Sequence, residues 1–169
     1  MTNSLKRLLP AGISVGLVAL AAGPVVVRQS TVASSVYEMA YLKWCPGHQP
    51  GSPRQIRIKL PSIDIYDARG ALVYHGEGAD GNAAVVNSLP RQIRALRPSG
   101  THPNLKDALE MTPNFANVRS SILSGGRYTV LALSSSSQCS KCPLQNEAVA
   151  NLKKRASQSN LNVLELFLD

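Results

Sequence analysis

Residues 127 to 168 constrain the fold most. "RYTVLALS" is a continuous apolar run of strand length, "NLNVLELFLD" is a second, and an amphipathic stretch lies between them. A strand apolar on both faces belongs inside a sheet that is covered on both sides. Residues 143 to 157 predict a helix, with Leu144, Ala148 and Leu152 on one stripe and Lys153, Lys154 and Arg155 turned to solvent. Strand, helix and strand in this length make a right-handed crossover between parallel strands. Cys139 and Cys142 fall between the first strand and the helix, at the strand's carboxyl end, where open α/β sheets carry their sites.

The preceding segment reads as a second unit. "IRIKLPSIDIYDARGALVYHGEG" alternates around the turn residues "DARG" and predicts a β-hairpin. "GNAAVVNSLPRQIRAL" predicts a helix that Pro90 breaks or kinks. After the polar connector "RPSGTHPN", "NLKDALEM" fits a short helix. "TPNFANVRSSILSGG" fits another, with Thr112 as cap, Pro113 at its first position and Gly125 just past its end. "WCPGHQPGSP" is dense in proline and glycine and reads as a linker. The expected division is therefore residues 1 to 30 as a membrane anchor or signal segment, 31 to 53 as a stalk, and 54 to 169 as one α/β domain. Within that domain a hairpin-and-helix half (57 to 95) and the crossover half (127 to 169) are joined by a helical connector (96 to 126).

Lys6 and Arg7 precede residues 8 to 27, which contain no charge and have about the length that spans a bilayer. An uncleaved transmembrane helix and a signal peptide cut near "ALAAG" both fit. In either case Lys6 and Arg7 outweigh Arg28, which predicts a cytoplasmic N-terminus and a body outside, in the periplasm of a bacterium. Beyond residue 43 the chain carries 14 basic and nine acidic residues, a spread surplus whose densest run is Lys153–Arg155. Only 5% of residues are aromatic, so no base-stacking platform is visible and nucleic acid is not an expected partner.

"RYTVLALSSSSQCSKCPLQNEAVANL" resembles the strand, loop and CxxC helix of thioredoxin-like proteins, nearest to the membrane-anchored bacterial thiol–disulfide oxidoreductases. In that family a strand, a helix, a cis-proline facing the disulfide, a hairpin and a last helix follow the pair. Here "LPSIDIYDARGALVYHGEGADGNAAVVNSL" resembles those parts, with Pro61, Asp67 and Gly70 at matching spacing, and it comes first. The resemblance covers about 75 residues in two blocks and implies a circularly permuted thioredoxin-like domain, a central mixed sheet flanked by helices. Exposed cuts between close termini make permutation physically inexpensive.

A thiol attacks as thiolate, and a helix N-terminus and a nearby cation both favour that form. Cys139, at the start of the helix beside Lys141, is the expected nucleophile, and Cys142, one turn on, the resolving thiol. The resemblance implies a cis Leu60–Pro61 bond lying against the pair and offering Leu60's backbone to a substrate cysteine. It also marks two departures: Gln138 stands where an aromatic is common before the first cysteine, and Leu133 where a buried acid assists proton transfer. Residues Ser134 to Ser137 either hydrogen-bond a thiolate or form a plain loop. The expected function is dithiol–disulfide exchange with cysteine-containing proteins and a redox partner, at the membrane, with no cofactor beyond the redox-active disulfide. Two alternatives stand beside it. The pair is a structural disulfide in a non-catalytic assembly subunit of a cell-envelope complex, or Cys45 and His48 join Cys139 and Cys142 in a Cys3His zinc site. His75 and His102 have no partners at metal-ligand spacing in the sequence.

Overall fold

The computed structural model describes residues 23–44, 58–93, 96, 102–135, 137 and 139–169. One five-stranded mixed sheet organises them. Its strands are β1 (Val27–Val32), β2 (Ser62–Tyr66), β3 (Leu72–Glu77), β4 (Thr129–Ser134) and β5 (Asn162–Leu168), in the spatial order β1-β5-β4-β2-β3. The helices are α1 (Ser34–Trp44), α2 (Ala79–Ser88), α3 (Leu105–Glu110), α4 (Arg119–Ser124) and α5 (Cys142–Ser159), with a 3-10 segment at Pro113–Val118.

β4 and β5 run parallel and are joined by α5, the crossover that their apolar runs predict. β4 is buried at every position. β2 lies antiparallel on its other side, with Ser62 opposite Leu133 and Tyr66 opposite Thr129, so hairpin and crossover share one sheet. The hairpin turn forms where "DARG" predicts it. Asp67 Oδ1 accepts from the backbone N–H groups of Arg69 and Ala71, each at 2.9 Å, and Gly70 takes a φ of +83° that disfavours other residues. α2 stops at Ser88 and Pro90 follows, as the proline's missing N–H requires.

Alternation along the strands makes two cores. Ile63, Ile65, Val130, Ala132 and Val163 pack under α2 and α5. Tyr66, Leu131, Leu133, Leu164 and Leu166 face the side of α1, α3 and α4. Burial along α5 corrects two expectations. Of the three bases only Lys154 is exposed, since Lys153 pairs with the buried Glu165 and Arg155 bonds to the end of α2. The inward stripe differs as well. Cys142, Gln145, Ala148, Val149, Leu152 and Ala156 face inward, whereas Leu144 is 44% exposed. The inward seam recurs at intervals of three and four residues, and that rhythm selects Gln145 over Leu144.

The sheet also reaches further back than the boundary at residue 54 that the sequence suggests. Residues 27 to 32, expected in the membrane segment and stalk, form edge strand β1, parallel to β5 from Val27↔Val163 to Val32↔Leu168. α1 then occupies part of the expected stalk, with Tyr37 buried at 4% exposure. β1 is polar in its middle ("RQST"), as an edge strand with one solvated side can be, so it lacks the apolar alternation that marks β2. Among the described residues no helix is long and apolar enough to cross a membrane, and residues 8 to 22 lie outside them.

Candidate functional site

At the carboxyl end of β4 the chain turns through Ser135 into the Cys139–Cys142 disulfide, whose Cα atoms are 5.3 Å apart. α5 begins at Cys142, one residue before the expected 143, and Cys139, expected at the start of the helix, belongs instead to the turn that leads in, its carbonyl accepting from Cys142 N–H at 3.2 Å. The two sulfurs differ in access. Cys139 is partly exposed and Cys142 is fully buried. Lys141, the residue before the helix, is exposed. Gln138 lies outside the described residues, as do Cys45 and His48 of the zinc alternative. Among the described residues no cluster of three or more His, Cys, Asp or Glu side chains is placed to hold a metal.

The serine run acts mainly through its backbone. Ser135 N–H points at Cys142 Sγ at 3.5 Å, and Ser135 Oγ accepts from Ser137 N–H at 3.3 Å. An N–H aimed at the buried sulfur would stabilise a thiolate there once the pair is reduced.

Pro61 is buried and its bond to Leu60 is cis, as the resemblance implies; the Leu89–Pro90 bond is cis as well. The pairing of Ser62 with Leu133 puts Leu60 and Pro61 at the end of the sheet from which the cysteine loop springs. A buried amide network holds that end together. Gln145 Nε2 donates to the carbonyls of Ser62 (3.2 Å) and Leu133 (3.1 Å), and its Oε1 accepts from Asn82 Nδ2 at 2.6 Å. Asn82 Nδ2 also reaches the Pro61 carbonyl at 3.3 Å. One side chain on the cysteine helix thus links β2, β4 and α2. Sequence reading missed both amides, and the only cue was a polar residue on the inward seam of α5.

On the opposite face, Leu133 is packed among Leu131, Leu164 and Leu166, so no acid lies under the pair at that position. Ionisable groups gather instead around a cavity of about 130 Å³ that Leu133 and Ser62 help to line. His75 Nδ1 is 2.7 Å from Asp64 Oδ1, and its Nε2 is 3.5 Å from Glu77 Oε1. Lys59 pairs with Glu77 at 2.7 Å, and His102 stacks on His75 with ring centroids 4.1 Å apart. Asp64 stands opposite His75 because a bulge between Ile65 and Tyr66 shifts the hairpin register by one residue, which the turn at residues 67–70 does not by itself encode.

The hydrogen bond to Asp64 raises the His75 pKa, against the smaller opposing effect of burial, and Glu77 adds to the rise. The folded value therefore lies above the unfolded one, near 6.5. The stabilisation is complete below about pH 6.5 and is lost as pH rises through the folded value. His75→Gln is expected to flatten this decline in the urea midpoint between about pH 6 and pH 9. An unchanged pH profile would show that the pair does not couple to folding.

Comparison with protein-family models, with curated proteins and with solved structures finds no match.

Proposed function

We propose that the protein is a membrane-tethered dithiol–disulfide oxidoreductase, a circularly permuted thioredoxin-like domain that acts on cysteines of other proteins. The observation that carries this reading is the unequal burial of a bonded cysteine pair at the carboxyl end of a central strand, one sulfur reachable and the other enclosed. The placement of β2 antiparallel beside β4, with Leu60–Pro61 at the disulfide's end of the sheet, supports the permuted arrangement.

In the reduced protein the Cys139 thiolate attacks a substrate disulfide and releases one substrate thiolate. Cys142 then attacks Cys139 Sγ, releases the second substrate thiol and leaves the Cys139–Cys142 bond. Two electrons pass to the substrate, and a redox partner returns them. Run backwards, the same steps oxidise a dithiol.

Leu133, apolar where the resemblance implies an acid, favours the second reading, in which the disulfide is a staple in a non-catalytic envelope subunit. Equilibrating the pair with dithiol buffers separates the two. A potential above about −300 mV supports exchange, whereas a lower one with no transfer to a protein disulfide supports the staple. For location, the reading has residues 8 to 24 in the inner membrane and the body in the periplasm. Alkaline phosphatase fused after Asp169 is expected to be active, and an inactive fusion beside an active cytoplasmic reporter at the same point would reverse the topology.

A further inference from the structure

The two ends of the sheet differ in charge. The disulfide marks one end, together with the acids Glu77, Asp80 and Asp169, against the bases Lys59 and Lys141. The other end holds the amino ends of β1, β4 and β5, the hairpin turn, the last turns of α2 and α5 and the start of α3. There Arg28, Arg69, Arg91, Lys106 and Lys154 are exposed, and Arg155 closes the end of α2 by donating to the carbonyls of Val86 (3.0 Å) and Asn87 (3.3 Å). Few acids oppose them. Asp67 is paired with Arg69 at 3.1 Å, and Asp107 lies in the first turn of α3. A groove beside Arg91 and Arg155 is lined by Leu89 and Pro90 together with amide and hydroxyl side chains, with no carboxylate among the described residues that line it.

The chain joins the body at this same basic end. Val26 is already buried, its N–H bonded to Asn162 Oδ1 at 3.0 Å and its carbonyl accepting from Val163 N–H at 2.9 Å. The uncharged run of the sequence thus ends inside the fold, leaving residues 8 to 24, about 17 residues, at the lower limit for a span. No length of free linker separates that segment from β1.

We propose that the basic end of the sheet is a docking surface for anionic lipid headgroups, which seats the domain upright with the disulfide turned away from the bilayer. Cationic side chains close to an anionic leaflet are attracted within about a Debye length, roughly 8–10 Å, and this end is held within that distance. β4 is six residues long, which raises the cysteine pair about 20 Å above the docked end. The site then faces proteins in solution rather than groups dissolved in the membrane. This inference rests on the proposed membrane tether.

Gln158→Trp in a Trp44→Phe background reports on docking, because Gln158 is exposed in the last turn of α5 beside the groove at the basic end. The full chain is reconstituted into vesicles of phosphatidylcholine, alone or with phosphatidylglycerol, each carrying a headgroup-level quencher. Quenching of the tryptophan introduced at position 158 is expected to be at least about twofold stronger with phosphatidylglycerol. It should fall to the phosphatidylcholine level at about 0.5 M salt and in the triple variant Arg28→Glu, Arg91→Glu, Lys106→Glu, whose unfolding midpoint serves as the folding control. Quenching that ignores lipid composition, salt and the variant overturns the docking surface while leaving the tether intact. A chain that stays in the supernatant with phosphatidylcholine vesicles overturns the tether, and the docking with it.

Discussion

Gln145→Ala is expected to destabilise the oxidised protein by about 3 kcal/mol and to loosen the cysteine site. Gln145 has no exposed surface, and its amide makes three hydrogen bonds, to Asn82 and to the carbonyls of Ser62 and Leu133. Truncation strips partners from two buried carbonyls and from one of the contacts of Asn82 Nδ2, which keeps only the Pro61 carbonyl. Each buried polar group left unpaired costs about 1–3 kcal/mol, and a water admitted to the space can recover part of it. Gln145→Met separates packing from hydrogen bonding, because it keeps the side chain's length and removes its polarity. If the network acts as argued, Met loses nearly as much as Ala in urea unfolding, with the slope unchanged. A methionine variant as stable as the parent would mean that volume alone matters there. Loss of the network also frees the Ser62 and Leu133 backbones, so the reduced variant should show an altered alkylation rate at Cys139.

The two cysteines are expected to fail in different ways. Cys139→Ser should bring thiol–disulfide exchange down to the uncatalysed background, a loss of about a thousandfold or more. Cys142→Ser should instead accumulate a mixed disulfide with substrate, since attack proceeds and resolution does not. The asymmetry rests on burial. α5 starts at Cys142, so both sulfurs lie near unpaired helix N–H groups, but only Cys139 is open to a partner protein. Brief alkylation of the reduced protein should label Cys139 first. Faster labelling of Cys142 would invert the roles.

Much of the fold was written in local patterns. The apolar runs of β4 and β5 left no alternative to buried strands, and "DARG" named its own turn through Asp67 and Gly70. The cysteine pair was equally plain, because residue type, spacing and the strand before it all pointed the same way. What stayed hidden depends on tertiary partners. β1 is polar through "RQST" and becomes a strand only because β5 offers an unpaired edge, so it passed for a stalk. Leu144 read as a core residue from its stripe, and Gln145 was not singled out. Their exchange is settled by the carbonyls of Ser62 and Leu133, which belong to strands on either side of the connector. His102, inside that connector, stacks on His75 of the hairpin, a contact that sequence spacing does not encode.

The central claim is that the disulfide turns over. The direct measurement is multiple-turnover reduction of a protein disulfide by the full chain, driven by a small thiol and compared with Cys139→Ser. The account predicts catalysed reduction by the parent and none by the variant. A folded parent, with the Cys139–Cys142 bond intact and a rate no higher than the thiol alone, would contradict it and leave the disulfide as a staple.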